Sequence, residues 1–288
     1  MRTRLSLVLL SGLIVAAILV VGATVASPAR AADSPAAIAR HILGHAPHGL
    51  AALVVGRGVV RVADDANYPP QSSVDPNTGK LVGFDVDVAK RVADLLGLMV
   101  SFKNPAWETI PANLQAHKYY DVSIGSMEIT AARSRVVAFT EPYYYMAAQV
   151  VAKKGGAHIH GVKDLFGKRV GVGAGTPYYD FLVKYPQIKV KAYTTDADAF
   201  PDLRSGKIDF LFTSRETARY AIEAGQPLQF AGGALFHARL AFAVGKGQAD
   251  WLKLLDHAVR TMHGDGSLTA MSRTWYHGRD LTVWHWKH

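Results

Sequence analysis

The sequence predicts an α/β protein with two lobes, each a mostly parallel sheet flanked by helices. From Arg57 onward, short β-branched or apolar runs alternate with segments of helical periodicity, an order typical of parallel sheets with crossover helices. The alternation occurs in two sets. These predict lobe 1 from residues 57–150 and 242–288, and lobe 2 from residues 151–241. We expect the long runs AQVVAKK and ARLAFAVGK to be strands that pass between the lobes.

The first set begins with the strand GVVRVADD and the turn-rich loop NYPPQSSVDPNTGK. FDVDVAKRVADLLG predicts a helix, because its apolar residues recur at helical spacing and it ends at Gly97. The strand LMVSFKN, the helix TIPANLQAHK and the strand YDVSIGS follow. We interpret ARSRVVAF as a short helix or turn, and YYMAAQVVAKK as a long strand.

The second set has the same alternating order. KRVGVGAG is a strand that ends in glycines, and PYYDFLVKY is a helix with Pro177 in its first turn. The strand IKVKAYTT, the helix DADAFPDLRSG, the strand KIDFLFTS and the helix RETARYAIEAG come next. After the strand LAFAVGK, two helical runs separated at Gly264 and Gly266 must return to the first lobe.

The first 31 residues have the features of a secretory signal peptide. Arg2 and Arg4 precede an uncharged apolar run over residues 5–26, and Ala29 and Ala31 form an A-x-A cleavage site. We expect cleavage after Ala31 rather than an uncleaved membrane anchor, and therefore a location in the periplasm. The lead that follows, residues 32–56, is given no function.

Composition excludes several classes of protein. The chain contains no cysteine, which excludes disulfide scaffolds, thiol catalysis, cysteine zinc sites and a lipid-anchored cysteine. It is 49% hydrophobic and 19% charged, so it can bury a sizeable core. The net charge of +9 comes from scattered basic residues, Arg2 and Arg4 of the signal among them, and export argues against a nucleic-acid partner.

The histidines form no recognisable metal motif. His158 and His160 lie close together in a predicted loop, and His285 and His288 lie in the tail WHWKH. No H-E-x-x-H or comparable arrangement is present. We therefore expect neither a metal site nor a cofactor.

Seven stretches carry a family resemblance over about Arg57 to Tyr276. They are NYPP, GKLVGFDVDVAKRVADLLG, Trp107 with its following helix, YDVSIGSMEITAARSRVVAFTEPYYY, DLFGKRVGVGAGT, LRSGKIDFLFT and GDGSLTAMSRTWY. These stretches occur in the same order as in the periplasmic solute-binding proteins of polar amino-acid ABC transporters. The chain therefore resembles that family, the bacterial extracellular solute-binding proteins of family 3. The resemblance implies the two-lobe periplasmic-binding-protein fold, in which lobes joined by two crossing hinge strands close on a ligand.

The resemblance also implies a ligand site in the first lobe. Arg133 matches the arginine that holds the ligand carboxylate, a role that suits the planar fork of a guanidinium. Thr130 would lie near the same anion, with backbone N–H groups at the strand end. Ser126, Met127 and Glu128 match positions that line the floor of the cleft. The aromatic positions that enclose the ligand side chain correspond to two further residues, Tyr68 and Trp107.

In the second lobe the sequence departs from the family pattern. Thr176 is placed at a helix N-terminus that favours an anion, but Pro177 after it has no N–H to donate. Ser214 occupies the region where the family often has an aspartate for the ligand ammonium. Either Glu128 replaces that aspartate from the opposite lobe, or the ligand is not a standard α-amino acid.

The resemblance implies a monomeric binding protein without catalytic residues. It would capture a small carboxylate-bearing solute, an amino acid or a derivative, and deliver it to an inner-membrane ABC permease. One alternative is a same-fold enzyme similar to cyclohexadienyl dehydratases, with Glu128 as general acid. Another is an accessory protein of a periplasmic dehydrogenase, or a sensor.

Overall fold

Strands and helices alternate along most of the chain, as the sequence predicts. The computed structural model describes residues 33–284, and the predicted signal peptide and the tail histidines His285 and His288 lie outside these described residues. The helices are α1 Pro35–Leu43, α2 Gly49–Arg57, α3 Phe84–Leu95, α4 Ile110–Ala116, α5 Pro177–Leu182, α6 Asp196–Ser205, α7 Arg215–Glu223, α8 Ala249–Gly264 and α9 Ser267–Trp275. The strands are β1 Val59–Ala63, β2 Asn67–Tyr68, β3 Ser72–Val74, β4 Leu81–Val82, β5 Met99–Lys103, β6 Val122–Glu128, β7 Val137–Phe139, β8 Tyr144–Lys153, β9 Arg169–Gly173, β10 Lys189–Tyr193, β11 Phe210–Ser214 and β12 Leu228–Gly245.

Within the described residues, the main sheet joins two parallel groups of strands through an antiparallel pair. Its order is β10-β9-β11-β8-β12-β6-β1-β5, and β7 also pairs with β12. β1 runs parallel to β5 and β6, and β9 runs parallel to β10 and β11. We call the group of β1, β5 and β6, with the helices packed on it, the first lobe. The group of β9, β10 and β11, with its helices, is the second lobe. The long strands β8 and β12 pair antiparallel between them. The predicted α/β class is confirmed, while the lobe boundaries stay a prediction.

The two faces of the second lobe are covered by separate core clusters. Successive strand side chains point to opposite faces, so Phe210 and Phe212 face one cluster while Leu211 faces the other. α5 contributes Leu182 to the first of these clusters, and α6 contributes Leu203 to the second. Burial on both faces explains why these strands are continuous apolar runs rather than alternating ones.

The C-terminal helices pack on the first lobe, as the order of elements requires. Trp251 of α8 is fully buried and donates its indole N–H to Asp121 O at 3.0 Å. Leu50 and Val54 of α2 are buried in the same core cluster as Trp251. The lead to which the sequence assigned no function therefore includes a helical hairpin, α1 and α2, packed against α8.

One predicted element differs in type. The stretch ARSRVVAF begins with a 3₁₀ turn, Arg133–Arg135, as expected of a short helix or turn, but continues as the strand β7. The β-branched Val137 is buried and pairs with Gly245 of β12, so tertiary pairing determines the second half. Along residues 33–284, every helix is too short or too polar to cross a lipid bilayer.

Candidate functional site

A cavity lies between the two lobes, at the carboxyl ends of their parallel strands. The space in and in front of it, open solvent included, is about 410 Å³. The crevice outside the carboxyl ends of strands is where open α/β sheets bind ligands, because loops and helix N-termini converge there. Hydrogen bonds join the lobes around it, including one from Asn67 Nδ2 to Thr195 Oγ1 at 2.9 Å.

Five of the nine predicted binding residues line this cavity. They are Tyr68, Trp107, Ser126, Glu128 and Thr176. The four from the first lobe come from the short strand β2, from the turn that follows β5 and from the end of β6, which are distant in sequence. The register of the parallel strands brings these segments to one edge, so the cavity depends on the fold as a whole.

Arg133 lies at the edge of the cavity and connects the lobes. Its Nη1 donates to Glu128 Oε2 at 2.5 Å and to Glu128 O at 3.2 Å, and its Nη2 donates to Gly175 O of the second lobe at 2.9 Å. The guanidinium carbon lies 5.4 Å from the ring centre of Trp107, within cation–π range. The guanidinium is therefore held in place and already paired with a carboxylate.

Three other predicted residues lie outside the lining. Met127 is fully buried and packs in the core cluster of Ile110 and Leu114, so its side chain faces away from the cavity. Thr130 Oγ1 accepts the backbone N–H of Arg133 at 3.1 Å, which supports the turn that carries the arginine. Ser214 Oγ accepts Thr217 N–H at 3.2 Å as the N-cap of α7.

Thr176 lines the cavity but its hydroxyl is used within the chain. It accepts Tyr179 N–H at 3.2 Å as the N-cap of α5, and donates to Gly173 O at 2.7 Å. Pro177 occupies the first position of this helix, so the N-terminus offers fewer N–H groups than usual.

The second lobe supplies a carboxylate that the sequence analysis did not assign to the site. Asp196 begins α6, lines the cavity and is only 4% exposed. It accepts Gly173 N–H at 2.9 Å and Thr213 Oγ1–H at 2.5 Å. Burial raises the pKa of Asp196 to about 7, against the opposing effect of these two hydrogen bonds. Both of these hydrogen-bond partners are neutral.

Asp196 is positioned by a capping box. The Thr195 side chain accepts the Asp198 N–H, and the Asp198 carboxylate accepts the Thr195 N–H at 3.1 Å. The sequence TTDAD, which overlaps the end of the stretch IKVKAYTT, is a helix-start signal that could have placed Asp196 at the strand end. Thr213, near the end of β11 on the far side of β9, then orients the carboxylate.

Beneath the cavity lies a layer of buried acidic and hydroxyl groups. Ser126 Oγ donates to Asp85 Oδ2 at 2.5 Å, and Tyr143 OH donates to Asp85 Oδ1 at 2.6 Å. Burial raises the pKa of Asp85 to about 7, and the pKa of Asp64 well above its usual value. Ser126 has a φ of 57°, an uncommon conformation for a non-glycine residue, and its N–H donates to Tyr143 OH at 3.0 Å.

Comparison with known proteins identifies the class to which this fold and cleft belong. Residues 60–278 match the family described as bacterial extracellular solute-binding proteins, family 3. The chain belongs to this family, which confirms the resemblance found in the sequence.

Among its relatives, the L-cystine-binding protein TcyJ of Escherichia coli (strain K12) is 35% identical over 240 residues, covering 82% of this chain and 89% of that protein. The ABC transporter arginine-binding protein 1 of the same strain is 32% identical over 217 residues, covering 73% and 88%.

Solved structures agree with the observed architecture. A P235GK mutant of ArgBP from T. maritima superimposes with a TM-score of 0.75 at 31% identity, covering 78% of this chain and 98% of that one. An ancestral amino acid-binding protein, AncCDT-1, described as a precursor of cyclohexadienyl dehydratase, gives a TM-score of 0.72 at 30% identity, covering 78% and 98%. The predicted two-lobe fold is confirmed.

Proposed function

We propose that the protein binds an amino acid carrying a second cationic group, and delivers it to an ABC permease of the inner membrane. The observation that carries this is the distribution of charge around the cavity. Three carboxylates line it, Asp65, Glu128 and Asp196, and one guanidinium, Arg133, lies at its edge. Arg133 is paired with Glu128, whereas Asp196 receives hydrogen bonds only from neutral groups among those described.

The Arg133–Glu128 ion pair favours a zwitterion over a singly charged ligand. Arg133 is 11% and Glu128 5% exposed at the side chain, so both are largely desolvated. When a ligand carboxylate binds the Arg133 guanidinium, it competes with Glu128 for the same positive charge. Glu128 is then a buried charge without a full partner, and this makes the binding free energy less favourable. An α-ammonium on the same ligand supplies that charge to Glu128 or to Asp196. We therefore propose two candidate partners for the ligand ammonium, one in each lobe.

The remaining carboxylates favour additional positive charge on the ligand. Burial raises the pKa of Asp65 and of Asp196, so a cation bound beside them would restore the ionised forms. The relatives described above are named for binding cystine and arginine, both of which carry two cationic groups. We expect arginine, lysine or cystine to bind more tightly than glutamine, and glutamate to bind weakest.

The test is a thermal-shift and calorimetric screen on the mature protein. At a hundredfold excess over Kd, a ligand adds about 2.7 kcal/mol of stability, which is roughly 5–11 °C in Tm for a domain of this size. L-Arginine is compared with agmatine, which lacks the carboxylate, and with δ-guanidinovalerate, which lacks the α-ammonium. We expect each to lose about 30-fold or more in affinity, because one buried charge then lacks its partner. Equal binding of all three would refute the zwitterion argument.

Matched variants test the anchor residue. Arg133→Ala should abolish the shift, whereas Arg135→Ala, on an exposed residue of the same 3₁₀ turn, should leave it unchanged. A double variant, Arg133→Gln with Glu128→Gln, removes both charges without leaving one unpaired, and separates loss of binding from loss of folding. Unchanged affinity in either Arg133 variant would contradict the assignment.

Export and transport form part of the same proposal. The predicted signal peptide directs the chain to the periplasm, where we propose that it acts as a monomer. The dehydratase-like alternative requires Glu128 as a general acid, and in the structure Glu128 is already ion-paired with Arg133. Failure of every solute in the screen would favour the accessory or sensor role.

A further inference from the structure

Two histidines and an aspartate converge on the surface of the N-terminal helical hairpin. His45 lies in the turn between α1 and α2, His48 is the N-cap residue of α2, and Asp250 lies in the first turn of α8. One ligand atom from each lies within 4.8 Å of the others. This group is remote in sequence from the cleft residues, and His45 and His48 precede the part of the chain that the family matches.

The geometry of these side chains is already close to that of a metal site. His45 Nε2 lies 3.8 Å from Asp250 Oδ1, and His48 Nδ1 lies 3.3 Å from Asp250 Oδ2. Zinc binds nitrogen at about 2.0–2.1 Å and carboxylate oxygen at about 2.0–2.2 Å, so tetrahedral ligands are about 3.3–3.5 Å apart. The two distances end on different oxygens of the Asp250 carboxylate; one fits this spacing, and the other exceeds it by a few tenths of an ångström.

Hydrogen bonds hold two of these groups in the orientation that a metal requires. His45 Nδ1 lies 2.8 Å from Ala46 O, and since a carbonyl can only accept, Nδ1 carries the proton. In the neutral ring, Nε2 then presents its lone pair toward Asp250. The Asp250 carboxylate is fixed by the backbone N–H of His48 at 2.9 Å. Outer hydrogen bonds of this kind orient the ligands in known metal sites.

We propose that His45, His48 and Asp250 bind a zinc ion. Two imidazoles and one carboxylate make up a donor set that suits Zn²⁺ and not Ca²⁺ or Mg²⁺, which prefer oxygen alone. The His48 side chain is 75% exposed, which leaves room for water as the fourth ligand. The sequence analysis expected no metal because the ligands come from segments about 200 residues apart, and no local motif records them.

The site would fasten the N-terminal hairpin to the first lobe. Besides the buried core contacts of α2, two hydrogen bonds already join them: Gln248 Oε1 accepts Leu50 N–H at 3.0 Å, and Lys253 Nζ donates to Leu43 O at 3.3 Å. A metal that links α8 to the turn before α2 acts as a crosslink between distant parts of the chain. Its binding free energy therefore appears as folding stability.

The experiment uses tag-free mature protein, ZnCl₂ and a buffer that does not chelate metal. We expect one Zn²⁺ per chain by calorimetry, and a rise in Tm of several degrees that EDTA reverses. Co²⁺ in place of Zn²⁺ should give the visible absorption of a tetrahedral site. His45→Ala/His48→Ala should lose the affinity by at least a hundredfold and should lose the cobalt spectrum.

A second histidine pair provides the matched control. His158 and His160 have ring centroids 5.5 Å apart, close to the 5.2 Å of His45 and His48, but they belong to no metal-binding group among the described residues. His158→Ala/His160→Ala should keep wild-type zinc binding. Zinc binding that survives in His45→Ala/His48→Ala, or that is absent from the wild type, would overturn the proposal. Loss of binding in both double variants alike would also overturn it.

Discussion

Replacing Asp196 with asparagine should weaken ligand binding and at the same time stabilise the ligand-free protein. The carboxylate is 4% exposed and accepts hydrogen bonds from Gly173 N and Thr213 Oγ1. Asparagine has nearly the same shape, its oxygen can accept from Gly173, and the Thr213 hydroxyl can rotate to accept from its amide. The change therefore removes a buried charge with little loss of packing.

The stability effect follows from the raised pKa. In an unfolded chain an aspartate has a pKa of about 3.9, whereas burial raises the pKa of Asp196 to about 7. The folded state thus holds its proton to a higher pH. The stability that comes from protonated Asp196 is fully present below about pH 4, and it is lost as the pH rises from about 4 to 7. The rise of this pKa from about 3.9 to about 7 corresponds to at most about 4 kcal/mol of unfolding free energy, or roughly 8–16 °C in Tm.

The assay is urea unfolding of the wild type and Asp196→Asn at pH 4.5 and pH 8, without ligand. The variant should gain up to about 4 kcal/mol relative to the wild type at pH 8, and little at pH 4.5. Asp94→Asn, on an exposed residue of α3, is the matched control and should show no such pH-dependent difference. In the ligand screen, Asp196→Asn should lose about 30-fold or more in affinity. A stability difference that is equal at the two pH values, or unchanged affinity, would refute the reasoning.

Two further predictions concern packing and lobe closure. Gly83→Ala should destabilise the protein by more than about 3 kcal/mol. The φ of 144° is sterically unfavourable for L-residues, and the added Cβ would lie 2.1 Å from Gln71 O. Gly79→Ala, with a φ of 66° and open space, should cost about 1–2 kcal/mol in the same urea titration, and a similar loss at both sites would contradict the steric argument. Arg279 follows α9 of the first lobe, and its Nε lies 3.4 Å from Glu216 on α7 of the second lobe, whose side chain is 6% exposed. Arg279→Gln removes this ion pair between the lobes and should therefore favour the form in which the lobes are apart. X-ray scattering should show a larger radius of gyration and calorimetry a several-fold weaker ligand, and no change in either would exclude this role.

The sequence was sufficient for the fold class because the relevant signals are local. Strand and helix periods alternate from Arg57 onward, and capping signals such as Thr195 and Gly97 mark helix ends. The stretch ARSRVVAF was predicted only in part, because the strand state of Val137 depends on pairing with β12. Such pairing is set by tertiary contacts rather than by the segment itself.

The candidate site was only partly predictable, because its charges come from both lobes. The resemblance pointed to Arg133 and Glu128, but it could not show that the two side chains bind each other. It also directed attention to Ser214, whereas the carboxylate of the second lobe comes from Asp196 at the start of a different helix. The distance between strand ends is a property of sheet register, and no linear pattern records it.

The perturbed acids of the chain give physical support for the location of the site, independent of family resemblance. Asp196 lines the cavity and Asp85 lies beneath it, and burial raises the pKa of both to about 7. Two acids outside the cavity show the opposite shift: side-chain hydrogen bonds, from Lys191 to Asp202 and from Ser267 to Asp265, hold the pKa of each below its usual value. A fold optimised for stability alone would place no unpaired carboxylate in a desolvated crevice, because each one reduces stability at neutral pH. A buried carboxylate without a cationic partner is expected where a cationic ligand supplies that partner, and this supports the proposal that the ligand binds in the cleft.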